Sequence, residues 1–589
     1  MQQREPGDLP GFSVGEMARR LRGGSWGGRC RSLADYVILG SGWALLAAIL
    51  ALSAWLRIDA VVAKTVLEHD EGISYLAATG HQASWNLATD GPRRLTGRWV
   101  PAREWRRLLE PEEFWIFGRI AHDLTTTDTH PPLYFWLLHI WISLVGAGVR
   151  EGPFLNIFLA ALTALALYGL AQRILKSQAQ ALLVALVWAI SPIVVQTAAI
   201  ARQYELLTLL AVLFIWQAFR YADLQFTLRP RHHVMFAITT AAGALTHFHF
   251  ALLLASVAVL VAVRAWGCAR GRVVMLLGAA AAGVAAVPLA IPRFPEMLNR
   301  QRLGADTFSQ VEFATRIEEV IQQAKVTIDG FLLPVQVTQL VQAALHAGGL
   351  SMSARSTGSL LLLFVLAAVG LEATLRGRRS LLRQWTQRLD GDVLAVGCLL
   401  AWLLGSTVGL YLSFQSPRHA MGGRYLAMAH PLIAFVPIVA LRYVPRGATT
   451  LALIFCLFQL LPLRLLSAHQ VSPTPSTIGP VFSERQHLVV DNPARGILPP
   501  IIMRADRDTL VFVSWQDELL AQPERWLEHL RRGDIYVTSV VHQTHDRLGE
   551  TLGVIEKHFV VAPEKPQPGL PVRIYRVEAV YPKAVSENQ

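Results

Sequence analysis

About twelve apolar runs, most of them near twenty residues long, constrain the fold of this chain more than any other feature. The first run covers residues 36–56 and contains no charged residue. A helix of about twenty apolar residues can cross the hydrocarbon core of a bilayer. The sequence therefore predicts an α-helical polytopic membrane protein. The further runs are 131–149, 153–172, 179–198, 203–222, 233–247, 248–266, 272–292, 357–375, 393–413, 426–442 and 449–466.

The basic residues predict the orientation of these runs. Basic flanks and loops stay on the cytoplasmic side of a membrane, which places the arginine-rich N-terminal tail 1–35 in the cytoplasm. The same rule assigns four basic loops to the cytoplasm: 220–231, 264–272, 376–388 and 442–446. The C-terminal segment then lies outside, which requires an odd number of crossings. We therefore expect about 11–13 transmembrane helices, with a re-entrant or wrongly divided run in 131–172.

Two hydrophilic regions flank or interrupt the transmembrane domain, which we place at 36–466. The first outer loop, about 57–130, is rich in Trp and Arg, and predicts short helices at the membrane surface. Residues 467–589 have the composition of a small extracytoplasmic α/β domain, entered through a linker with three prolines. Its expected strands are 510–514, 534–541 and 572–580, and its expected helix is 517–531.

Charge and cysteine content exclude several classes of function. The net charge of +12 is explained by the bias of basic residues toward cytoplasmic loops, so no nucleic-acid partner is expected. The four cysteines are scattered and form neither a disulfide framework nor a zinc motif. Membrane lipids are the partners that the composition itself predicts.

The acidic pair Asp70-Glu71 follows the first span by about a dozen residues. The charge pattern places it just outside the membrane, where a carboxylate is a candidate proton acceptor or cation ligand. We take Asp70 and Glu71 as candidate catalytic residues. The alternative for such a pair is an ordinary solvated loop.

Four further polar clusters interrupt or border the apolar runs. Histidines within apolar sequence suggest ligands or proton relays, and arginine can donate two hydrogen bonds to a phosphate. The alternative for a boundary arginine is a membrane-surface anchor. The candidate substrate-binding residues are His130, Arg202, Tyr204, His247, His249, Arg424 and Tyr425.

The spacing of His247 and His249 bears on metal binding. On a helix, residues two positions apart point in nearly opposite directions, which does not suit a shared zinc site. In a helix break the two rings can converge, with Asp70 or Glu71 as further ligands. No cofactor is therefore predicted with certainty, and a divalent metal stays open as an alternative.

These motifs together resemble a known family. The acids 70–71, His-Pro-Pro-Leu-Tyr at 130–134, Arg-x-Tyr at 202–204, Thr-His-Phe at 246–248 and Arg-Tyr at 424–425 resemble bacterial relatives of protein O-mannosyltransferases and of the lipid A aminoarabinose transferase. Those proteins are membrane glycosyltransferases of the GT-C fold. The chain differs from the aminoarabinose transferases in having His130 where a lysine is common, and from eukaryotic mannosyltransferases in lacking an inserted sugar-binding repeat domain.

The resemblance covers roughly residues 36–466 and implies an activity. It implies transfer, with inversion, of a hexosyl or pentosyl group from a polyprenyl-phosphate-linked sugar. The acceptor would be a cell-envelope glycan, a lipid or a protein, at the outer face of a bacterial cytoplasmic membrane. The residues fit this chemistry, since it needs a base for the acceptor hydroxyl and a positive cradle for the departing phosphate.

The main alternative is a transporter or flippase for a lipid-linked saccharide, with the acids coupled to protons. Transporters often contain two similar halves, and we find no internal repeat in this sequence. A weaker alternative is a scaffold subunit built around the C-terminal domain.

Overall fold

A computed structural model of the chain describes the polypeptide in ten segments. They are 33–92, 94–223, 225–291, 293–307, 391–414, 426–441, 482, 486–539, 547–564 and 572–580. The predicted runs 357–375 and 449–466, the proline linker, Arg424 and Tyr425 lie outside the described residues.

The membrane part is helical, as expected from its apolar runs. It contains α1 (Leu33–Val62), α6 (Leu133–Val145), α7 (Glu151–Leu175), α8 (Gln178–Ile190), α9 (Pro192–Ala198), α10 (Tyr204–Ala222), α11 (Pro230–Thr246), α12 (Phe250–Ala285), α13 (Val287–Ala290), α14 (Phe294–Thr307), α15 (Gly391–Phe414), α16 (His430–Ile433) and α17 (Phe435–Leu441). Within the described residues, five helices are long and apolar enough to cross a membrane. The number is six if α8 and α9, which meet at 60°, form one span. The chain is a multi-pass membrane protein.

The first loop forms four short helices and one strand. These are α2 (His69–Ala78), α3 (Gln82–Asp90), β1 (Trp99–Pro101), α4 (Ala102–Arg106) and α5 (Phe117–Thr127). The prediction of short helices in this loop agrees with the structure. The strand was not predicted.

Helix α6 begins and ends on the same side of the molecule. After its C-terminal end, the Gly148 carbonyl accepts a hydrogen bond from Tyr75 of α2, and Arg150 Nε donates to the Lys64 carbonyl at 3.1 Å. Its length of 13 residues corresponds to about 20 Å, too short to cross about 30 Å of hydrocarbon. The apolar run 131–149 is therefore not a crossing. The other eleven predicted runs would give the odd number of crossings that the charge pattern requires.

The predicted pair of runs 248–266 and 272–292 corresponds to the single element α12 and the short helix α13. Phe250 packs against Gly243 in α11, and Gly283 lies against Ala237 and Thr240 of the same helix. A straight helix would separate residues 250 and 283 by about 50 Å. Helix α12 must therefore reverse its direction between residues 250 and 283, as expected for two antiparallel spans. At the far end of α11, Arg272 Nη2 donates to the Phe226 carbonyl at 3.0 Å.

The remaining elements form one α/β unit, which confirms the predicted α/β character of the C-terminal region. They are β2 (His487–Val490), α18 (Leu498–Ile502), β3 (Leu510–Val513), α19 (Gln516–Ala521), α20 (Glu524–Leu527), β4 (Ile535–Ser539), α21 (Leu548–Glu556), β5 (Phe559–Pro563) and β6 (Val572–Val580). The sheet has the order β1-β3-β2-β4-β6-β5, in which β3, β2 and β4 are parallel.

Two details of this domain differ from the sequence-based expectation. The predicted helix 517–531 is two short helices, α19 and α20, because Pro523 lies between them and lacks the N–H that a continuous helix needs. Strands β2 (four residues) and β5 (five residues) were not predicted.

Strand β1 joins the first loop to this C-terminal sheet. It pairs antiparallel with β3, with Trp99 opposite Phe512 and Pro101 opposite Leu510. Behind it, the buried indoles of Trp85 and Trp105 have ring centres 5.2 Å apart, and Trp85 Nε1 donates to the Pro493 carbonyl at 3.0 Å. Each fully buried large apolar side chain contributes about 1.5–3 kcal/mol. The first loop and the C-terminal domain thus share one core.

The placement of α6 can be tested by cysteine labelling in sealed vesicles. In a background with the four native cysteines replaced by serine, we expect Thr129→Cys and Val149→Cys, at the two ends of α6, to react with an impermeant maleimide from the same side. Gln225→Cys, between α10 and α11, should react only from the other side. If Val149→Cys were labelled together with Gln225→Cys, α6 would be a crossing.

Candidate functional site

The acidic pair occupies the first turn of α2. Glu68 is the N-cap residue, and its backbone N–H donates to Glu71 Oε2 at 2.7 Å in a capping box. Carboxylates in the first turn also complement the positive end of the helix dipole. The local sequence therefore explains why a helix begins at this point and why two acids begin it.

Glu71 is completely buried and bound by N–H donors. Its Oε2 atom forms an ion pair with Lys64, and its Oε1 atom accepts the backbone N–H of Ala201 at 2.7 Å. A buried carboxylate is tolerated only when it is paired in this way. Glu71 thus connects α2, the end of the first span and the segment that carries Arg202. This environment fits a structural role better than proton transfer.

Asp70 lies in a different environment from its neighbour. Its side chain is 18% exposed, and Oδ1 lies 3.1 Å from His69 Nδ1. Two adjacent acids are thus separated by the helix into a buried group and an accessible group. Of the two, Asp70 is the one that a substrate hydroxyl can reach.

Arg202 lies against the same turn of α2. Its Nη1 atom donates to Ser74 Oγ at 3.2 Å and approaches the Asp70 carbonyl at 3.4 Å. Asn156 of α7 fixes the backbone of this segment, because its Nδ2 atom donates to the carbonyls of Ile200 and Arg202. The guanidinium is therefore held beside Asp70 by contacts from two helices.

His130 connects Arg202 to Asp128. Its Nε2 atom lies 3.3 Å from Arg202 Nη2, and its Nδ1 atom lies 2.6 Å from Asp128 Oδ1. Because a guanidinium can only donate, Nε2 must accept in this contact, so Nδ1 carries the proton that is donated to Asp128. The result is a continuous chain of polar contacts from Asp128 to Arg202.

The surroundings of Asp128 hold it as a carboxylate. Burial alone would raise its pKa, but the His130 ring, the Thr129 N–H and the charge of Arg495 together hold the pKa below its usual range. Gln82 Nε2 donates to its second oxygen at 3.1 Å. Asp128 therefore positions His130 as a fixed acceptor.

His247 and His249 lie in the break between α11 and α12. Their rings stack at 4.6 Å with an angle of 23°, and the His249 N–H donates to His247 Nδ1 at 3.1 Å. The Tyr204 ring centre lies 6.1 Å from that of His247. The break therefore brings together three of the predicted residues, whereas a continuous helix would have separated the histidines.

Among the described residues, no group of three or more His, Cys, Asp or Glu side chains is arranged to hold a metal ion.

Arg424 and Tyr425 lie outside the described residues, and the chain immediately after them lies beside α10. Thr208 Oγ1, one turn into α10, donates to the Ala427 carbonyl at 3.3 Å.

Sequence reasoning missed several residues that shape this site. Lys64 follows the first span and Asp128 stands two residues before His130, and neither belongs to a motif of its own. Two contacts come from the C-terminal domain: Arg495 Nη2 donates to the Thr127 carbonyl at 3.1 Å, and Gly496 packs on the His69 ring. Contacts over such sequence distances leave no local signal.

The comparison with protein families finds one match. Residues 129–291 match the family described as dolichyl-phosphate-mannose-protein mannosyltransferase. This segment contains His130, Arg202, Tyr204, His247 and His249. The match confirms the resemblance indicated by the motifs, over less than half of the chain. No curated protein matches the sequence significantly.

Two solved structures resemble the chain weakly. ArnT from Cupriavidus metallidurans, bound to undecaprenyl phosphate, is 12% identical with a TM-score of 0.39, over 95% of this chain and 100% of that chain. The archaeal oligosaccharyltransferase AglB from Archaeoglobus fulgidus, in complex with an inhibitory peptide and a dolichol-phosphate, is also 12% identical with a TM-score of 0.39, over 89% of this chain and 73% of that chain. Similarity at this level does not decide function, so the relation to protein mannosyltransferases rests on the motifs and on the match over residues 129–291.

Proposed function

We propose that this chain is a membrane glycosyltransferase that moves a sugar from a polyprenyl-phosphate donor to a hydroxyl group. One observation carries the proposal: the partly exposed Asp70 lies on the turn of α2 whose main-chain carbonyl contacts the guanidinium of Arg202, while the adjacent Glu71 is buried in an ion pair with Lys64. Transfer of this kind needs a base and a cation close together. The matched family supports the class of donor.

In the proposed reaction, Asp70 accepts the proton of the acceptor hydroxyl. The acceptor oxygen forms a bond to the anomeric carbon, and the bond from that carbon to the phosphate oxygen breaks. The electron pair leaves with the polyprenyl phosphate. A single displacement inverts the anomeric centre and requires one base, which agrees with an accessible Asp70 and an occupied Glu71.

Arg202 is the proposed cradle for the departing phosphate, and His130 holds its guanidinium in place. Arg202 has its donors near the α2 turn, and its charge can stabilise the negative charge that develops on the leaving oxygen. His247, His249 and Tyr204 would border the donor on the side of α11 and α12. We keep Arg424 and Tyr425 as proposed donor contacts on sequence grounds.

The orientation that we propose follows from the basic residues at the end of the helices opposite the site. Arg173 pairs with Asp223 at 2.6 Å there, and Arg272 reaches the loop after α10. Basic residues accumulate on the cytoplasmic side. We therefore place the N-terminus in the cytoplasm and the Asp70 site and C-terminal domain outside, in a bacterial cytoplasmic membrane. The acceptor would then be a cell-envelope glycan, a lipid or a protein.

We also propose that the C-terminal domain forms an acceptor platform over the site. Gly72 of α2 packs against Pro499 and the Arg495 carbonyl, and Gly496 lies against His69, next to Asp70. The domain therefore contacts the turn that carries the proposed base.

Paired substitutions of the two acids test the assignment of the base. Asp70→Asn should lower turnover by about 10²–10⁴-fold with little change in thermal stability, because it removes a base and keeps the shape. Glu71→Gln should instead destabilise the protein by about 3–5 kcal/mol, because Lys64 loses its buried partner. Turnover with a polyprenyl-phosphate sugar and thermal unfolding of the same preparations provide the two readouts. Asp70→Asn with near-parental turnover would exclude Asp70 as the base.

Substitution of Asp128 tests the chain of contacts through His130. Asp128→Asn should weaken donor binding by about tenfold, because a hydrogen bond to a charged group contributes about 1.5–3 kcal/mol. The measurement is the KM for the donor, with Asp90→Asn, at the end of α3, as a control in the same loop.

The pH dependence of the same variant has a definite sign. A lowered pKa in the folded state contributes stability that is complete above the ordinary value, 3.8, and is lost as pH falls toward the lowered value. The melting temperature of the parent should therefore exceed that of Asp128→Asn by a constant amount from about pH 8 to about pH 5, and the difference should shrink only below about pH 4. A difference that disappears near neutral pH would contradict a carboxylate at this position.

A glycine pair in the C-terminal domain tests the platform. A Cβ atom at Gly496 would overlap the His69 ring, whereas one at Gly549, on α21, would meet no atom of the described chain within 4 Å. Gly496→Ala should displace His69 and lower transfer to the acceptor several-fold, with donor binding retained. Gly549→Ala should match the parent in acceptor transfer. Equal transfer by both variants would show that the domain does not shape the acceptor side.

A further inference from the structure

A polar cavity lies beside the Asp70 site. Its volume is about 540 Å³, and it opens between the end of α1, helix α4, the loop from α6 to α7, and the C-terminal domain after α18. Its lining residues are Lys64, Thr65, Arg106, 147–151 and 503–507. The Lys64–Glu71 ion pair lies between this cavity and Asp70. The cavity is therefore separate from the proposed site of sugar transfer.

The walls of this cavity carry more cationic than anionic side chains. Five cationic side chains line it, against the two carboxylates of Glu151 and Asp506; the cations are Lys64, Arg106, Arg150, Arg504 and Arg507. Both carboxylates accept backbone N–H groups: Glu151 accepts that of Arg150 at 3.0 Å, and Asp506 accepts that of Arg507 at 2.8 Å. The excess of cations favours an anionic ligand.

Arg504 provides an independent sign of a missing partner. It is 8% exposed, and its Nη1 atom donates to the Thr65 carbonyl at 3.0 Å. Its Nε atom is buried and makes no hydrogen bond within the described parts of the chain. Buried polar groups are nearly always paired. A reorientation of the Arg504 side chain would turn this unpaired donor toward an anion in the cavity.

Arg106 and Arg507 also reflect the excess of cationic side chains in the cavity wall. Burial lowers the pKa of Arg106, and the neighbouring charge of Arg507 lowers it further. Arg106 donates to the carbonyls of Ile502 and Met503, which fixes its position at the cavity wall. Arg507 contacts Glu110 at 2.9 Å on the outer rim. Two arginines that repel each other are a suitable pair for a phosphate between them.

Apolar surface continues from the edge of this cavity. Val62 is 48% exposed and stands two residues before Lys64, while Leu144 and Val145 are 71% and 48% exposed and end α6 just before Ala147. A polar anion without an apolar part would gain nothing from contact with these apolar side chains. An amphiphile could place its charged head among the arginines and its chains along the ends of α1 and α6.

We propose that this cavity binds the phosphate head group of an anionic membrane lipid, at a site separate from the Asp70 centre. Arg504 and Arg507 donate to the phosphate oxygens, and Lys64 and Arg150 lie at the level where the lipid enters. The proposal does not depend on the glycosyl transfer proposed above, because it concerns binding by different residues.

The test counts bound lipid on the full-length protein by native mass spectrometry, with phosphatidylglycerol compared to phosphatidylcholine. We expect one tightly bound phosphatidylglycerol in the parent, with an affinity reduced about tenfold in Arg504→Gln and in Arg507→Gln. Arg507 is largely exposed, so its substitution tests the site even if loss of the Thr65 contact destabilises Arg504→Gln. Arg547→Gln, which removes an exposed arginine of the same domain paired with Asp517 and Glu550, should bind as the parent does.

Four outcomes would overturn the proposal. The first is equal binding of the two lipids by the parent, and the second is an equal loss of phosphatidylglycerol in Arg547→Gln. The third is displacement of the lipid by inorganic phosphate at comparable concentration, which would make the cavity a site for the free anion. The fourth is phosphatidylglycerol binding that is undiminished both in Arg507→Gln and in a correctly folded Arg504→Gln.

Discussion

The arrangement of the candidate site depends on one buried carboxylate. Glu71 accepts N–H groups from its own helix cap, from Lys64 at the end of the first span and from Ala201 between two later helices. Removing a charge from water is costly, so each of these donors must stay in place while the carboxylate is buried. This single requirement fixes the distance between the turn that carries Asp70 and the segment that carries Arg202. The two adjacent acids differ for the same reason, since Glu71 is buried among its donors while the Asp70 side chain stays partly exposed.

A second constraint is the shared surface between the first loop and the C-terminal domain. The loop supplies β1 and the buried indoles, and the domain supplies the carbonyls and the glycine that cover α2. The cationic cavity lies along the same surface, where four separate parts of the chain meet. The candidate site and the cavity are neighbours because Lys64 lines the cavity and pairs with Glu71, the residue next to Asp70.

The predictability of these features depended on how local their causes are. Apolar length and basic flanks predicted the helical membrane part, and the odd number of crossings pointed to the run that proved too short to cross. The acids 70–71 and the motif at His130 were found because residue types and spacing carry that information. The ion pair of Glu71 with Lys64, the contact of Asp128 with His130 and the packing of Gly496 on His69 were not predicted, because each depends on partners that only the folded chain brings together. The pairing of β1 with β3 was missed for the same reason, and its three residues were too short for a periodic pattern.

Strand β1 also determines when the molecule can become complete during synthesis. Trp99 and its partner Phe512 are separated by about four hundred residues, so the edge of the sheet can close only after nearly the whole chain has emerged. Until then β1 has no partner strand, and an unpaired strand edge readily pairs with other chains. During this time the indoles of Trp85 and Trp105 in the first loop are not covered by the C-terminal domain. If synthesis stops before the last strands, the helices are inserted in the bilayer but the C-terminal domain does not cover the turn that carries Asp70. The truncated product then exposes an unpaired strand edge and two apolar indoles, which cellular quality control can recognise.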